Sequence, residues 1–444
     1  MNYQLLNKKE ETSVTKMGKR YYDDFIKKNT FKQNNRRFGI EIEFSLTDNN
    51  NLLVPQSSPY ICNKLKDYPI IPEYGSYQIE INPPPLNVSS NSYKKLYDTI
   101  QNSRKKIEEI TNEKNIQLIP IGIPFYIDSI DFHSKNIITP TERYLISTTY
   151  FHQVNKLGAS LSFKNGEEIN LPGNSGLSII NELHIHLQAL NKTDLVMLFN
   201  YSQMITSPFV ALAANSGIVN GKSLMYKDFQ ISIFEQAEGL YDGPANIPRT
   251  GLFPGYINIL DDFFNNVLEF RPLYYPKDGL DSTAFELIIG KYFGWTRIRV
   301  GFDPSPHLRI EFRPMSSQPT IIENIALTEF YINTLLRLIK NNHSLVPDRY
   351  LKANLFSAMK DGMNAMLFWD IGNGIKQYPV DHILDYLFAL TTNNNYPDII
   401  SNRISQKKSP VDKLIEDRNK FGFFNSIEKY KECFVNETPI IHQL

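Results

Sequence analysis

The 444-residue chain has only two cysteines, Cys62 and Cys433, and two tryptophans. Two thiols build neither a disulfide framework nor a cysteine zinc cluster, which fits a reducing compartment. Formal net charge is zero, with 47 basic and 47 acidic side chains, so nothing calls for nucleic acid or an anionic membrane as partner. No run reaches the roughly 18 apolar residues that a membrane helix needs. The polar, basic stretch 1–36 lacks the apolar centre of a secretory signal. A soluble, cytoplasmic protein is the expectation. Disorder is excluded by 41% hydrophobic and 12% aromatic residues, enough for a large core.

Familiar motifs are missing too. There is no phosphate-binding loop of the Gly-rich Lys-Ser/Thr type, no dinucleotide Gly-x-Gly-x-x-Gly and no Gly-x-Ser-x-Gly elbow. The cysteines carry no nucleophile signature, and His133, His152 and His307 fall outside the alternating segments.

What the chain does have is period-two alternation, the pattern of strands. Phe38–Leu46 sets Ile40, Ile42 and Phe44 against Glu41 and Glu43. Tyr77–Asn82, ended by Pro83-Pro84-Pro85, sets Ile79 and Ile81 against Gln78, Glu80 and Asn82. Glu182–Gln188 opposes Leu183, Ile185 and Leu187 to Glu182, His184, His186 and Gln188. Leu308–Arg313 opposes Leu308, Ile310 and Phe312 to Arg309, Glu311 and Arg313, and Val267–Arg271 reads as a further strand. Helices are expected over 89–115, 141–156, 193–215 (interrupted or restarted at Pro208) and 319–340. The Gly- and Pro-containing stretch 215–255 reads as a loop system able to cover a substrate.

Each polar face taken singly is what a half-exposed strand shows water. Taken together they are unusual, because glutamate is depleted in strands and like charges on neighbouring strands repel. Glu41, Glu43, Glu80 and Glu311 gathered on one face require cations. Hard divalent ions take carboxylate oxygens, and Mg²⁺ combines a few carboxylates with substrate phosphates. Imidazoles and arginines beside them suit a site that transfers phosphate.

These segments, in this order, resemble the glutamate–cysteine ligases and related carboxylate–amine ligases. Phe38–Phe44 is similar to the family's opening strand, and Glu73 to Glu80 to its second carboxylate segment. Asn181–His186 is similar to its His-x-His strand, and Arg309–Arg313 to the Arg-x-Glu-x-Arg strand ahead of a long buried helix. The resemblance covers residues 37 to about 340 and implies the glutamine synthetase-like catalytic fold. That is an α+β architecture with a curved, largely antiparallel sheet, its polar concave face carrying the site and helices on the other face.

It further implies ATP as co-substrate, with two or three Mg²⁺ ions (Mn²⁺ as a substitute), and small-molecule partners only. In that scheme Glu43, Glu73 and Glu80 hold one metal, and Glu41, His184 and Glu311 another. His186, Gln188, Arg309 and Arg313 attend the nucleotide. Arg309, Arg313 and Arg271 are the catalytic cations, and Arg249 and Arg271 touch the substrate. Arg297 and Arg299 alternate on a strand of their own and are further candidates, as is Lys222 in a lid. The domain reading is an N-terminal basic arm or helix (1–36), a catalytic domain (37–342) and a helical segment packed on it (343–444). The expected reaction makes an amide through an acyl phosphate, γ-glutamyl transfer to an amino acid with cysteine the leading acceptor. The alternatives are a guanidino phosphotransferase on the same fold, a non-catalytic nucleotide-binding relative and, more distantly, a zinc hydrolase.

Overall fold

The computed structural model of the chain describes residues 3–239, 247–303, 305–391 and 394–442. Its centre is an eight-stranded sheet: β1 (Arg37–Asp48), β2 (Ile70–Pro72), β3 (Gln78–Ile81), β4 (Leu86–Asn87), β5 (Ile116–Ile119), β6 (Glu182–Gln188), β7 (Thr296–Gly301) and β8 (His307–Ser316). The strands run β7-β8-β6-β1-β3-β2, with β4 and β5 also paired to β1, and every pairing is antiparallel. This is the mixed helix-and-sheet, antiparallel architecture that the family resemblance implies.

The strands form where alternation is strictest. Ile40, Ile42, Phe44, Ile79, Ile81, Leu183, Ile185, Leu187, Leu308, Ile310 and Phe312 are all buried in one continuous core. The main helices are α1 (Lys8–Tyr21), α2 (Ser90–Asn112), α3 (Lys192–Ala213), α4 (Asp281–Ile289) and α5 (Ile321–Lys340). Of these, α3 packs on β7 and β8, α5 packs on α3 and β6, and α2 lies against α5 and β5. The Phe312 ring stacks on Tyr331 of α5 at 4.2 Å. Such rings and aliphatics each contribute about 1.5–3 kcal/mol on burial.

Three departures from the sequence reading have physical causes. Residues 267–271 are not a strand: Leu260, Phe263, Phe264 and Val267 recur at helical spacing and bury one face of a helix, Leu260–Val267, after which the chain turns. Pro208 does not interrupt α3, which runs unbroken across it. Its surroundings are buried, and packing outweighs a penalty of about 3 kcal/mol. His307 opens β8 and so belongs to a strand.

Among the described residues α3 is also the one helix long and apolar enough to cross a membrane, yet 89% of that window is buried inside the fold. The 215–255 segment contains a helix, Gln230–Glu238, and the short hairpin Ile218–Ser223, while 240–246 lie outside the described residues. Lys222, exposed in that hairpin, pairs with Glu167. The N-terminal segment is packed: α1 lies along α4, and a short strand Tyr3–Leu5 pairs antiparallel with Tyr274–Pro276.

Behind the sheet, Arg403 is fully buried and ties the helix Pro397–Ser405 to α3 and α5. It donates to Glu323 at 2.8 Å, to Gln318 at 2.7 Å and to the Leu212 carbonyl at 3.1 Å. Arg403→Ala strands the Glu323 carboxylate in the core and is expected to cost about 3–5 kcal/mol, read as a lower urea midpoint at an unchanged slope.

Candidate active site

Antiparallel register places the polar side chains. Glu41 faces His184 across β1 and β6, and Glu43 faces Glu80 across β1 and β3. His186 faces Glu311 across β6 and β8, Arg297 faces Glu311 across β7 and β8, and Gln188 faces Arg309. Directly opposite residues have Cβ atoms about 5 Å apart, so the pairs meet without any loop. Glu73 arrives from the turn before β3, where its carboxylate accepts from the Tyr74 N–H at 2.8 Å. That turn needs Gly75, since a Cβ there would lie 2.5 Å from Gln78 Oε1 and 2.6 Å from the Ser178 carbonyl. In β8 the pairing shifts register between Phe312 and Met315, where Pro314 has no N–H to give.

Two groups of charge result. Around Glu311 the protein supplies its own cations. Arg297 donates to both oxygens, at 2.8 and 2.7 Å, and Arg313 donates to Oε1 at 2.8 Å. Burial pushes the Glu311 carboxyl up, but Arg297, His186 and Arg313 outweigh it and hold it well below the usual range. Glu41 behaves alike. Burial raises it, yet the His186 charge and hydrogen bonds from His184 (2.9 Å) and His186 (3.0 Å) hold it well below. His184 lies between Glu41 and Glu182, 2.7 Å from Glu182. Burial and Arg313 oppose its charge, but the hydrogen bonds to those two glutamates prevail and raise it to about 10.

Among the described residues the second group has one basic neighbour, His184, and it stands 4.0 Å from Glu43. Burial, with Glu73 beside it, raises Glu43 well above the carboxylate range. Burial with Glu41, Glu73 and Glu43 does the same to Glu80, which also lies in hydrogen-bonding reach of Glu73. Ligand atoms of Glu43, Glu73 and Glu80 fall within 4.8 Å of one another. Three hard-oxygen donors, of which Glu43 and Glu80 have a raised affinity for a proton, form a cradle suited to a small divalent cation. Three further groupings meet the same distance limit: Glu41–His186–Glu311, Glu41–Glu80–His184 and Glu43–Glu182–His184. The expected set Glu41–His184–Glu311 is not among them. His186, directly across from Glu311, stands where that set has His184.

Two cavities meet at Glu41. The larger, about 500 Å³, reaches Glu43, Glu73, Glu80, His184, Arg249 and Arg313. The smaller, about 310 Å³, takes in His186, Gln188 and Arg309. Arg309 points its Nε at His186 Nδ1, 3.3 Å away. Arg249 is buried and paired to Glu238 at 2.7 Å. Arg271 is elsewhere: it sits in the turn after the Leu260–Val267 helix, 3.7 Å from Glu11, outside both cavities.

Glu182 and Glu238 were given no role by the sequence. Glu182 carried a signal, since it alternates with His184 on the same strand. Glu238 carried none, because its partner Arg249 is joined to it through residues 240–246.

The architecture is one shared with ligases. A solved glutamate–cysteine ligase from Francisella tularensis, in complex with AMP, matches with a TM-score of 0.57 at 11% identity, over 92% of this chain and 90% of that one. A bifunctional glutathione synthetase from Pasteurella multocida matches with a TM-score of 0.51 at 10% identity, over 97% of this chain and 54% of that one. At these identities the likeness is one of fold. No curated protein matches the chain by sequence. The model of glutamate–cysteine ligase family 2 matches residues 37–378, most of the chain, and the protein belongs to that family. Membership supports the ATP-dependent carboxylate–amine ligase class.

The raised carboxyls set a sign for pH dependence. Glu43 and Glu80 stabilise the metal-free fold only while protonated. Their contribution is complete below the unfolded value of about 4.3 and is lost as pH rises through the folded values. Glu80→Gln is therefore expected to melt several degrees above the unsubstituted protein at pH 8 without metal and level with it at pH 4. Mg²⁺ should raise the unsubstituted protein more than the variant, which lacks one ligand of the cradle. Thermal melts across pH, with and without Mg²⁺, check this.

Proposed function

We propose that the protein is an ATP- and Mg²⁺-dependent ligase that activates a carboxylate as its acyl phosphate and joins it to an amine. The γ-carboxylate of glutamate, with an amino acid as acceptor, is the first pair to test, cysteine being the acceptor in the family's name. The observation that carries this is the unbalanced cradle Glu43–Glu73–Glu80 beside a second, arginine-rich set, where two cavities meet. In this reading the cradle and Glu41 with His184, His186 and Glu311 hold the metal ions, which would neutralise the triphosphate and orient it. The polar side of the sheet is the catalytic face, 37–342 is the catalytic unit, and the cell interior is its compartment.

ATP occupies the smaller cavity, with His186, Gln188 and Arg309 around it. The carboxylate enters the larger one. Its oxygen attacks the γ-phosphorus as the bond to the ADP oxygen breaks. Arg297, Arg299 and Arg313 meet the negative charge of the transferring group, as phosphoryl transfer requires. The acceptor nitrogen then bonds to the acyl carbon, phosphate leaves with the bonding electrons, and the amine's proton passes to solvent. Arg249, held by Glu238, lies in the wall of the substrate cavity. Arg271 takes no part.

The test is ATP-dependent phosphate release with Mg²⁺, glutamate and a panel of amines, with mass spectrometry of the products. A product lighter by one water than its two substrates, formed with free phosphate, is expected. Glu311→Ala is expected to lower the rate by about 100-fold or more, since it unbalances Arg297 and Arg313. ADP without free phosphate would mean a kinase, and no Mg²⁺–ATP binding would remove the enzymatic reading.

A further inference from the structure

The far end of the larger cavity is built differently from its acidic floor. Tyr3 reaches it from the short strand Tyr3–Leu5, Tyr274 from the strand paired to it, and Tyr144 and Arg143 from the helix Glu142–Val154. Leu273 and Leu287 complete the wall. The Tyr3 and Tyr274 rings meet edge to face, centroids 5.1 Å apart. The Tyr3 N–H donates to Glu142 at 3.1 Å, which fixes the strand to the helix.

All three tyrosines are half-buried, so each offers part of a ring to the cavity. Arg143 lies in hydrogen-bonding reach of Tyr274, and among the described residues no carboxylate pairs with it. Tyr144 links the two ends, for the negative charges of Glu73, Glu80 and Glu43 all act on it. Tyr3 lies outside residues 37–378, the span matched by the family.

We infer that the acceptor is an α-amino acid with an aromatic side chain, its carboxylate on Arg143 and its ring against Tyr3, Tyr274 and Leu287. This rests on the ligase reading and names the acceptor class for that site. Glu41 joins the two cavities, so a nucleotide in the smaller one leaves the larger for the carboxylate and the amine. A guanidinium grips a carboxylate through two parallel hydrogen bonds, and aromatic rings favour edge-to-face and offset partners. A cysteine side chain has no ring to set edge to face against Tyr3 and Tyr274 and forfeits those contacts. The nitrogen beside the gripped carboxylate faces the acidic floor, where the acyl phosphate forms, and attack expels phosphate as above.

The full-length protein, with Mg²⁺, ATP and glutamate, is offered phenylalanine, tryptophan, cysteine and alanine in turn. Phenylalanine or tryptophan is expected to exceed cysteine in kcat/KM by about tenfold or more. Tyr3→Ala is expected to raise KM for the aromatic acceptor about tenfold, with KM for ATP and glutamate and the cysteine rate unchanged, whereas Tyr3→Phe retains the preference. Preference for cysteine or alanine, or variants that slow every acceptor alike, would overturn the inference.

Phenylalanine binding, measured by calorimetry in the presence of Mg²⁺–ATP, separates the two readings. If no acceptor yields phosphate, the ligase reading fails. Phenylalanine binding weakened about tenfold by Tyr3→Ala would still uphold the aromatic site, and absent or unaltered binding would sink it as well.

Discussion

Charge balance under burial governs this structure. Six carboxylates, Glu41, Glu43, Glu73, Glu80, Glu182 and Glu311, gather around β1, β3, β6 and β8, and all but Glu41 and Glu73 are buried. Unpaired charge in such surroundings is expensive, so the protein must supply a cation, a proton or an external ion for each. It supplies cations unevenly. Arg297 and Arg313 close on Glu311, and His184 is shared by Glu41 and Glu182. Among the described residues Glu43, Glu73 and Glu80 receive no basic side chain as close, and Glu43 and Glu80 hold a proton more readily instead. The imbalance locates the cradle more sharply than acidity alone, because it separates carboxylates already satisfied from those that are not.

The sheet makes so costly a cluster possible. Each polar residue is flanked along its strand by isoleucine, leucine or phenylalanine driven into the core against α3 and α5. A slip of one residue in any strand would turn the carboxylates inward and the aliphatics outward, so the apolar side fixes the register and the register fixes the distances between charges. Pro314 stands at an irregularity of the sheet, a shift between Phe312 and Met315 that falls at Arg313. Arg313 there spans Glu311 and Glu182, at 2.8 and 3.1 Å.

How much of this was legible in the sequence follows from the same periodicity. Ile40, Ile42 and Phe44 against Glu41 and Glu43 declare a strand and its two faces, and the same holds for the segments around Glu80, His184 and Glu311. Which strands are neighbours is not written in any one segment. Hence the pairing of Glu311 with His186 rather than His184 needed β6 and β8 side by side. The partnership of Arg297 with Glu311 likewise needed β7 at the sheet's edge. Arg271 was misplaced because five residues are too few to tell alternation from the end of a helix. The Tyr3–Leu5 strand was invisible, since three residues carry no period and its partner lies about 270 positions away.

Glu41 shows how a fixed sheet serves two cavities at once. It borders both, accepts from both His184 and His186, and remains the most firmly ionised of the glutamates on β1 and β3. A charge held from both sides cannot follow a substrate, so whatever occupies either cavity must be placed relative to it. The floor of the larger cavity is bound by the same electrostatics, because changing one carboxylate or arginine unbalances its neighbours. Tyr3, Tyr274 and Arg143 come from a short strand, its partner and a peripheral helix, none of them in the sheet. Replacing either tyrosine by an uncharged side chain adds no charge to the network and removes none. A protein built this way can alter what it accepts at the outer wall while the chemistry at the floor stays fixed.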